Sequence, residues 1–175
     1  RCAVLLCSEG GLCEDVMCRR IIMDDLHPQL RPPVREGEVL AEKYRVDKVI
    51  GMGGMGVVVA ATHVDLDQKV ALKFLLPHAA ASPSHVERFL REGKAAVRLR
   101  SEHVARVLDV GRMQDGVPYI VMEYLEGRDL SGTVKERGAL PVEEAVGYVL
   151  QASDAVAEAH AAGIVHRDLK PDNLF

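Results

Sequence analysis

The sequence predicts an α+β fold in two parts, with strand-forming segments in residues 38–125 and helix-forming segments in residues 126–175. Runs of β-branched and apolar residues, separated by glycine-rich turns, recur in the first part. The pair Glu126-Gly127 interrupts the chain like a hinge, and helix signals follow it. We therefore expect a five-stranded antiparallel lobe with one main helix, followed by the first helices of a second lobe.

Five segments of the first part favour extended backbone because they are rich in Val, Ile and other strand formers. They are Tyr44–Ile50, Val57–Ala61, Lys69–Leu75, Val104–Val110 and Val117–Tyr124. A glycine-rich run joins the first two, and Asp115-Gly116 between the last two is typical of a hairpin turn.

The main helix is predicted between the third and fourth strands. Pro83 follows Ser82, and Glu87 follows Ser84 by three positions, and both patterns are helix-start signals. The apolar residues that then recur at helical intervals are Val86, Phe89, Leu90, Val97 and Leu99. Gly93 is expected to weaken this helix by about 0.8–1 kcal/mol relative to alanine.

A second helix is predicted around Val142 to Ala162. Pro141, Glu143 and Glu144 favour its start, and Gly163 stands where a C-terminal cap is needed.

Residues 1–37 are interpreted as an N-terminal tail, either disordered or produced by a mis-called start. Pro28, Pro32 and Pro33 mark a stiff boundary before the folded domain begins near Glu38. All four cysteines lie in this tail, at Cys2, Cys7, Cys13 and Cys18. Their spacing lacks the close pairs of a zinc site, so we interpret them as free thiols.

Charge and hydropathy exclude two classes of function. The formal net charge of −4, with no basic stripe, argues against nucleic-acid binding. Apolar runs such as Val57–Ala61 are far shorter than the roughly 20 residues of a membrane helix, so we predict no membrane segment here. Ser8 interrupts the run Ala3 to Leu6, which is too short for a secretory signal. We predict a cytoplasmic location for this region and leave open a membrane anchor after Phe175.

The pattern Gly51-x-Gly53-x-x-Gly56 indicates a phosphate-binding loop. Alone it is a weak signal, because dinucleotide-binding folds use the same spacing and open a helix after it. Here Gly56 runs into Val57-Val58-Val59, which favours a strand. We therefore predict a glycine flap between two strands over phosphates, with a plain hairpin turn as the alternative.

Lys73 lies in the apolar strand segment Val70–Leu75, where a charge is costly unless it is paired or binds an anion. Glu92 is its predicted partner, because it shares the inward stripe of the main helix with Phe89. The alternatives are a lysine that reaches water at a sheet edge and a glutamate that pairs locally. The local cations are Arg88, Arg91 and Lys94.

The run His166 to Asn173 matches the pattern H-R-D-x-x-x-x-N. In that pattern the aspartate, here Asp168, accepts the proton of a substrate hydroxyl during phosphoryl transfer, and the asparagine, here Asn173, binds a metal ion. A surface turn of charged residues is the alternative, and the preceding motifs in this order disfavour it.

With these motifs, residues Tyr44 to Phe175 resemble the protein kinases, most closely the bacterial Hanks-type (eukaryotic-like) Ser/Thr kinases. Lys170, two positions after Asp168, is similar to the Ser/Thr form of the loop. The resemblance implies a protein-kinase-like fold with the N-lobe and hinge in residues 38–125. Residues 126–175 would be a truncated C-lobe that ends just after the catalytic loop.

The resemblance also implies ATP and Mg²⁺ as cofactors and assigns roles to individual residues. The implied catalytic residues are Asp168, Lys170, Lys73 and Glu92, and the implied metal ligand is Asn173. The implied nucleotide-binding residues are Ile50, Gly51, Gly53, Gly56, Val58, Ala71, Lys73, Met122, Glu123, Leu125, Asp129 and Phe175.

Within that set, the glycine amides would cover the phosphates, and Lys73, held by Glu92, would contact the α- and β-phosphates. Lys170 would neutralise the γ-phosphate. Adenine would lie above Phe175, which departs from the more usual leucine.

Three further roles in the nucleotide site are implied. Met122 would be the gatekeeper, the backbone of Glu123 and Leu125 would bond adenine, and Asp129 would lie near the ribose.

The implied function is transfer of the ATP γ-phosphate to Ser or Thr hydroxyls of proteins, in signalling. The Asp-Phe-Gly motif and activation segment would follow Phe175, so we expect residues 1–175 alone to be inactive and marginally folded. The alternatives are a nucleotide-binding pseudokinase scaffold and a small-molecule phosphotransferase.

Overall fold

The computed structural model describes Ala3, Val4 and residues 34–175. Within these residues the centre of the fold is one six-stranded antiparallel sheet with the order β1-β2-β3-β4-β6-β5. The strands are β1 (Val39–Leu40), β2 (Tyr44–Met52), β3 (Gly56–His63), β4 (Gln68–Leu75), β5 (Val107–Arg112) and β6 (Pro118–Glu123). The five predicted strands are confirmed, and the two-residue strand β1 is added at the edge of the sheet.

One predicted strand boundary is wrong. The segment Val104–Val110 was expected to be extended throughout, but β5 begins only at Val107. The residues before Val107 pair with Val4 and not with β6. Val104 forms a bridge with Val4, and the Ala105 N–H donates to the Val4 carbonyl at 3.0 Å.

The sheet is covered on both faces, and this explains the apolar character of its central strands. Side chains alternate along β4, so that Leu72 and Phe74 belong to one core cluster while Ala71 and Leu75 belong to the other. Lys73 alternates with Leu72 and Phe74 and therefore points to the same face as Ala71. This second face is the one against which the main helix packs.

The helices of the described part are α1 (Pro77–Ala80), α2 (Pro83–Ala96), α3 (Leu130–Arg137) and α4 (Val142–Ala161), with a 3₁₀ helix at Pro171–Asn173. Helices α2 and α4 confirm the two predicted helices. Phe89, Gly93 and Ala96 are the buried residues of α2. The short helices α1 and α3 were not predicted. None of the helices described is both long and apolar enough to cross a membrane.

Helix α4 is anchored by a narrow contact. Its buried residues are Ala152, Ala155 and Ala159, which lie at helical spacing on one face. The Glu158 carboxylate accepts hydrogen bonds from the backbone N–H groups of Arg100 and Ser101 at 2.8 and 2.7 Å. These contacts attach the helical part to the segment that follows α2.

The boundary predicted at residue 37 stays a prediction. The four cysteines and the three prolines of the predicted tail lie outside the described residues. Within that tail, however, Val4 is 0% exposed and belongs to the same core cluster as Phe89 and Leu174.

Candidate active site

The glycine-rich run lies between two strands, as predicted, and does not open a helix. Gly51 is in β2, Gly56 begins β3, and the Gly53 N–H donates to the Gly56 carbonyl at 2.8 Å. A Cβ atom at Gly56 would lie only 2.8 Å from the Phe74 carbonyl oxygen, so a larger residue would displace the backbone of β4. The Leu76 N–H donates to the Met55 carbonyl at 2.9 Å, which ties the loop to the end of β4.

A cavity opens between this loop, the sheet and α2. Lys73 lines it from β4, and Glu92 and Arg88 line it from α2. Met122, the predicted gatekeeper, lines it from β6, where it pairs with Ala71 of β4. Three strands and helix α2 thus bring four sequence-predicted positions to one cavity, Gly56, Lys73, Glu92 and Met122.

Lys73 is buried with only 6% of its surface exposed. Its register partners are Val58 of β3 and Ile120 of β6, so the lysine lies in the middle of the sheet. The alternative of an edge-strand lysine that reaches water is therefore wrong. A buried ammonium group is stable only beside compensating charge, which suits it to an anionic ligand.

Glu92 makes the local ion pair that the sequence analysis gave as the alternative. Its carboxylate accepts a hydrogen bond from Arg88 Nε at 2.9 Å, and no ion pair between Lys73 and Glu92 occurs in the described residues. Arg88 precedes Glu92 by one helical turn, so the local pairing needs no movement of the helix. The Lys73–Glu92 contact stays a prediction, for which both residues already line the same cavity.

Glu123, at the end of β6, is hydrogen-bonded to Arg106 by both its backbone and its side chain. The Glu123 N–H donates to the Arg106 carbonyl at 2.9 Å, and its side chain accepts from the Arg106 N–H at 2.9 Å. The adenine contact predicted for the backbone of Glu123 stays a prediction. Leu125 lies in the loop between β6 and α3, partly buried.

Asp129 has a structural role that the sequence did not predict. It is the N-cap of α3, and its Oδ1 accepts a hydrogen bond from the Gly132 N–H at 2.6 Å. The Leu130 N–H, one residue later, donates to the Leu174 carbonyl at 2.7 Å. The helix start is thereby fixed next to the end of the catalytic loop, and Oδ2 remains for the predicted ribose contact.

The catalytic loop closes on Asp168. The 3₁₀ helix returns the chain so that Asn173 Nδ2 donates to the Asp168 backbone oxygen at 2.7 Å and to its Oδ2 at 3.2 Å. Lys170 Nζ lies 3.5 Å from the same Oδ2. The Asp168 N–H also lies 3.3 Å from His166 Nδ1, and His166 is buried.

Arg167 occupies the left-handed region of backbone conformation, with φ of 64°. A residue other than glycine rarely adopts this conformation, and it persists only where surrounding contacts hold it. In this loop, the residue after Arg167 is held in place: Asp168 is hydrogen-bonded to both His166 and Asn173.

The predicted metal ligand fits a hard cation as one oxygen donor. Because Asn173 Nδ2 faces Asp168, its Oδ1 is the atom left to bind Mg²⁺, which prefers oxygen ligands. In the part of the chain that is described, no group of three or more His, Cys, Asp or Glu side chains could hold a metal ion.

The remaining predicted nucleotide residues lie around the sheet and hinge. Ile50 is 38% exposed at the glycine loop, and Val58 and Ala71 face the α2 side of the sheet. Phe175 is partly buried, and both its backbone N–H and its carbonyl bond to Ala3. Ala3 and Arg88 thus contact predicted site residues, although the sequence analysis assigned neither of them to the site.

Comparison with known proteins gives one consistent result. Residues 44–175 match the family described as the protein kinase domain. The chain is 43% identical over 139 residues to the serine/threonine-protein kinase pkn3 of Myxococcus xanthus, covering 79% of this chain and 25% of that protein. It is 38% identical over 139 residues to the serine/threonine-protein kinase PrkC of Bacillus subtilis, covering 79% and 21% respectively.

Solved structures agree with these sequence matches. The kinase domain of Mycobacterium tuberculosis PknI superposes with a TM-score of 0.69 at 34% identity, covering 80% of this chain and 56% of that one. The chain thus spans about a quarter of the length of pkn3, about a fifth of PrkC and just over half of the PknI kinase domain. Residues 44–175 therefore belong to the protein kinase family, among its bacterial Hanks-type Ser/Thr members.

Proposed function

We propose that this chain is the nucleotide-binding lobe and catalytic loop of a kinase that transfers the γ-phosphate of Mg-ATP to Ser or Thr hydroxyls of proteins. The observation that carries the proposal is the closed catalytic loop, in which Lys170 and Asn173 both reach the Asp168 carboxylate. ATP and protein acceptors would be met in the cytoplasm, where we place this region.

Asp168 is the proposed base. Its carboxylate would accept the proton of the acceptor hydroxyl, and the two contacts from Asn173 hold it in one orientation. A positioned base contributes typically 10²- to 10⁴-fold. Most of the acceleration in phosphoryl transfer comes from positioning and from neutralising the phosphate charge.

Lys73 and Lys170 would supply cationic charge to the phosphates. Lys73 is buried beneath the glycine flap, where an unscreened ammonium interacts strongly with the α- and β-phosphates. Lys170 would neutralise the γ-phosphate near the acceptor, and its Nζ lies 3.5 Å from Asp168 Oδ2. Mg²⁺, held in part by Asn173, would supply further charge neutralisation when bound.

We also propose that residues 1–175 bind nucleotide but do not transfer phosphate by themselves. The support is the extent of the match, because the chain covers 56% of a solved kinase domain. A second support is the uncovered apolar side of α4, where Val142, Val149 and Leu150 are 73%, 62% and 61% exposed. Robust transfer by residues 1–175 would contradict this proposal.

The test of activity uses these residues joined to the whole second lobe of the natural protein. Labelled phosphate transfer from Mg-ATP to a generic protein acceptor is measured beside the Asp168→Asn variant. We expect transfer that is lost in the variant. Nucleotide binding without transfer would favour a pseudokinase scaffold, and labelling of a metabolite in place of protein would favour a small-molecule phosphotransferase.

The test of nucleotide binding uses residues 1–175 and calorimetric titration with Mg-ATP. Lys73→Met is expected to weaken binding strongly, because it removes the buried charge. Lys69→Met is the matched control, since Lys69 lies exposed on the same strand. Equal affinities for the two variants would remove Lys73 from the proposed site.

A further inference from the structure

His78 contacts the tip of the glycine flap from outside the cavity. It lies in the short helix α1, which begins at Pro77, two residues after the end of β4. Its imidazole Nε2 lies 2.8 Å from the Gly54 carbonyl oxygen. Because a carbonyl oxygen can only accept a hydrogen bond, this ring nitrogen carries the proton and donates.

This hydrogen bond extends the pairing between β3 and β4 beyond the end of the strands. The ladder ends at Gly56, and the Leu76 N–H then donates to the Met55 carbonyl at 2.9 Å. Pro77 begins α1, so the backbone after β4 leaves the flap at that point. The His78 side chain reaches back from α1 and supplies the next hydrogen bond to the flap.

The flap tip, residues 53–55, has few other restraints on its peptide orientation. Gly53 and Gly54 are adjacent glycines, the residue type with the greatest backbone freedom. No atom of the described residues would lie within 4 Å of a Cβ added at Gly54. The Met55 side chain, by contrast, packs against the core that includes Phe89 and lines the cavity. The peptide unit between Gly54 and Met55 is therefore oriented by the hydrogen bond from His78.

The orientation of that peptide unit decides which polar group the flap tip presents. The bond between Gly54 and Met55 is trans, so its C=O and N–H groups point in opposite directions. Holding the Gly54 carbonyl toward His78 thus holds the Met55 N–H on the opposite side of the flap. A flipped peptide would present a carbonyl oxygen there, and an oxygen repels an anion that an N–H group attracts.

We propose that His78 is a positioning residue for the glycine flap, which holds the Gly54 carbonyl so that the Met55 N–H is preorganised for the phosphates of Mg-ATP. The inference rests on the proposed function, in which the flap amides cover the phosphates. Without this bond, the flap tip would have to be ordered at the moment of binding, and that ordering lowers affinity. The expected loss is about two- to tenfold, the worth of one neutral hydrogen bond.

The restraint on the flap is tested by ¹⁵N relaxation without nucleotide, in these residues joined to the whole second lobe of the natural protein. In the wild type, the order parameters of the Gly54 and Met55 amides are expected near about 0.85, and in His78→Ala below about 0.6. His78→Gln keeps a side-chain N–H donor and is expected to restore the wild-type values. A mobile tip in the wild type, or equal order parameters in wild type and His78→Ala, would overturn the restraint.

Two ligands then separate positioning from a general loss of structure. Calorimetric titrations use Mg-ATP and adenosine, which has no phosphate for the flap to contact. His78→Ala is expected to weaken Mg-ATP binding about two- to tenfold and to leave adenosine binding unchanged. His78→Gln should bind both ligands as the wild type does. The control is His160→Ala, at an exposed histidine in the last turn of α4, which should leave both affinities unchanged.

The outcomes distinguish this inference from the proposed function. Equal weakening of Mg-ATP and adenosine binding in His78→Ala would leave His78 with a structural role alone and overturn the positioning role. Unchanged Mg-ATP affinity beside a mobile flap tip would overturn it as well. If the wild type bound no Mg-ATP, the proposed function would fail, and the relaxation data would still decide whether His78 restrains the flap.

Discussion

The sheet and helix α4 differ in how completely their apolar residues are covered. Val57, Val59 and Leu72 in the central strands are fully buried, whereas Val149 and Leu150 of α4 are 62% and 61% exposed. The sheet has cores on both faces, but α4 has one stripe of buried alanines. The stability of this chain should therefore reside in the sheet and α2, with α4 as a weakly attached element.

The largest expected effect on stability comes from truncating one large apolar side chain in each region. Phe74→Ala removes a fully buried ring from β4 and should cost about 3–5 kcal/mol of unfolding free energy. Leu150→Ala on α4 should change it by less than about 0.5 kcal/mol, because the leucine is exposed. Urea denaturation of both variants measures the difference, and similar losses would contradict the comparison.

Replacing one glycine in each helix by alanine should change the stability in opposite directions. At Gly93 of α2, an added Cβ would lie 2.8 Å from Ile120 Cδ1 and 3.1 Å from Val110 Cγ2, so Gly93→Ala should destabilise by about 1–3 kcal/mol through overpacking. At Gly147 of α4, nothing lies within 4 Å. Gly147→Ala should stabilise by about 0.8–1 kcal/mol through helix propensity alone.

Thermal or urea unfolding of the two alanine variants gives the answer directly. Stabilisation by both would show that Ile120 and Val110 yield without cost and that α2 is packed as loosely as α4. Destabilisation by both would show that α4 makes a close contact on the side of Gly147.

The ion pair Arg88–Glu92 of α2 is more buried than the pair Arg137–Glu144 between α3 and α4, judged by the exposure of its arginine. Arg88→Gln releases Glu92 from its partly buried local pair and should let it approach Lys73, raising Mg-ATP affinity about twofold, the worth of one such helical pair. Arg91→Gln, at an exposed position of the same helix, is the control. A fall in affinity specific to Arg88→Gln would show instead that Arg88 itself contacts the phosphates.

The smallest effect is expected at the exposed pair between α3 and α4. Hydrogen bonds from Arg137 and then from Tyr148 lower the pKa of Glu144 below its usual value. Because the pKa is lowered in the folded state, the contribution of ionised Glu144 to folding stability is complete above about pH 5. It is lost as the pH falls through the folded-state pKa. The melting-temperature difference between wild type and Glu144→Gln should therefore shrink in acid, and a constant difference would exclude titration of this carboxyl.

Much of the fold could be predicted because the strands and long helices carry dense local signals. The strand β1 has only two residues, too few to show a period. The short helix α3 depends on the Asp129 cap, and the sequence had assigned that residue only to a ribose contact. Propensity and period therefore recover long elements, whereas short ones depend on single hydrogen bonds.

In the candidate site, too, contacts between residues close in sequence could be predicted, whereas contacts between distant residues could not. Asp168, Lys170 and Asn173 lie within six residues of one another, so the motif itself predicts their meeting. The partner of Glu92 and the burial of Val4 depend on where α2 and the N-terminal residues settle in three dimensions. Spacing to Arg88 did signal the alternative partner of Glu92, but nothing in the tail signalled the bridge between Val4 and Val104.

The steric fit of Gly56 bears on how kinase-like sequences are interpreted. Its lack of a side chain is required by the Phe74 carbonyl oxygen, 2.8 Å from where a Cβ would stand, whether or not phosphate is bound. Natural selection for folding alone would therefore retain this glycine in a descendant that had lost its catalytic activity. In surveys of degenerate homologues, substitutions at the positions of Lys73 and Asp168 are consequently more informative about lost activity than an intact third glycine.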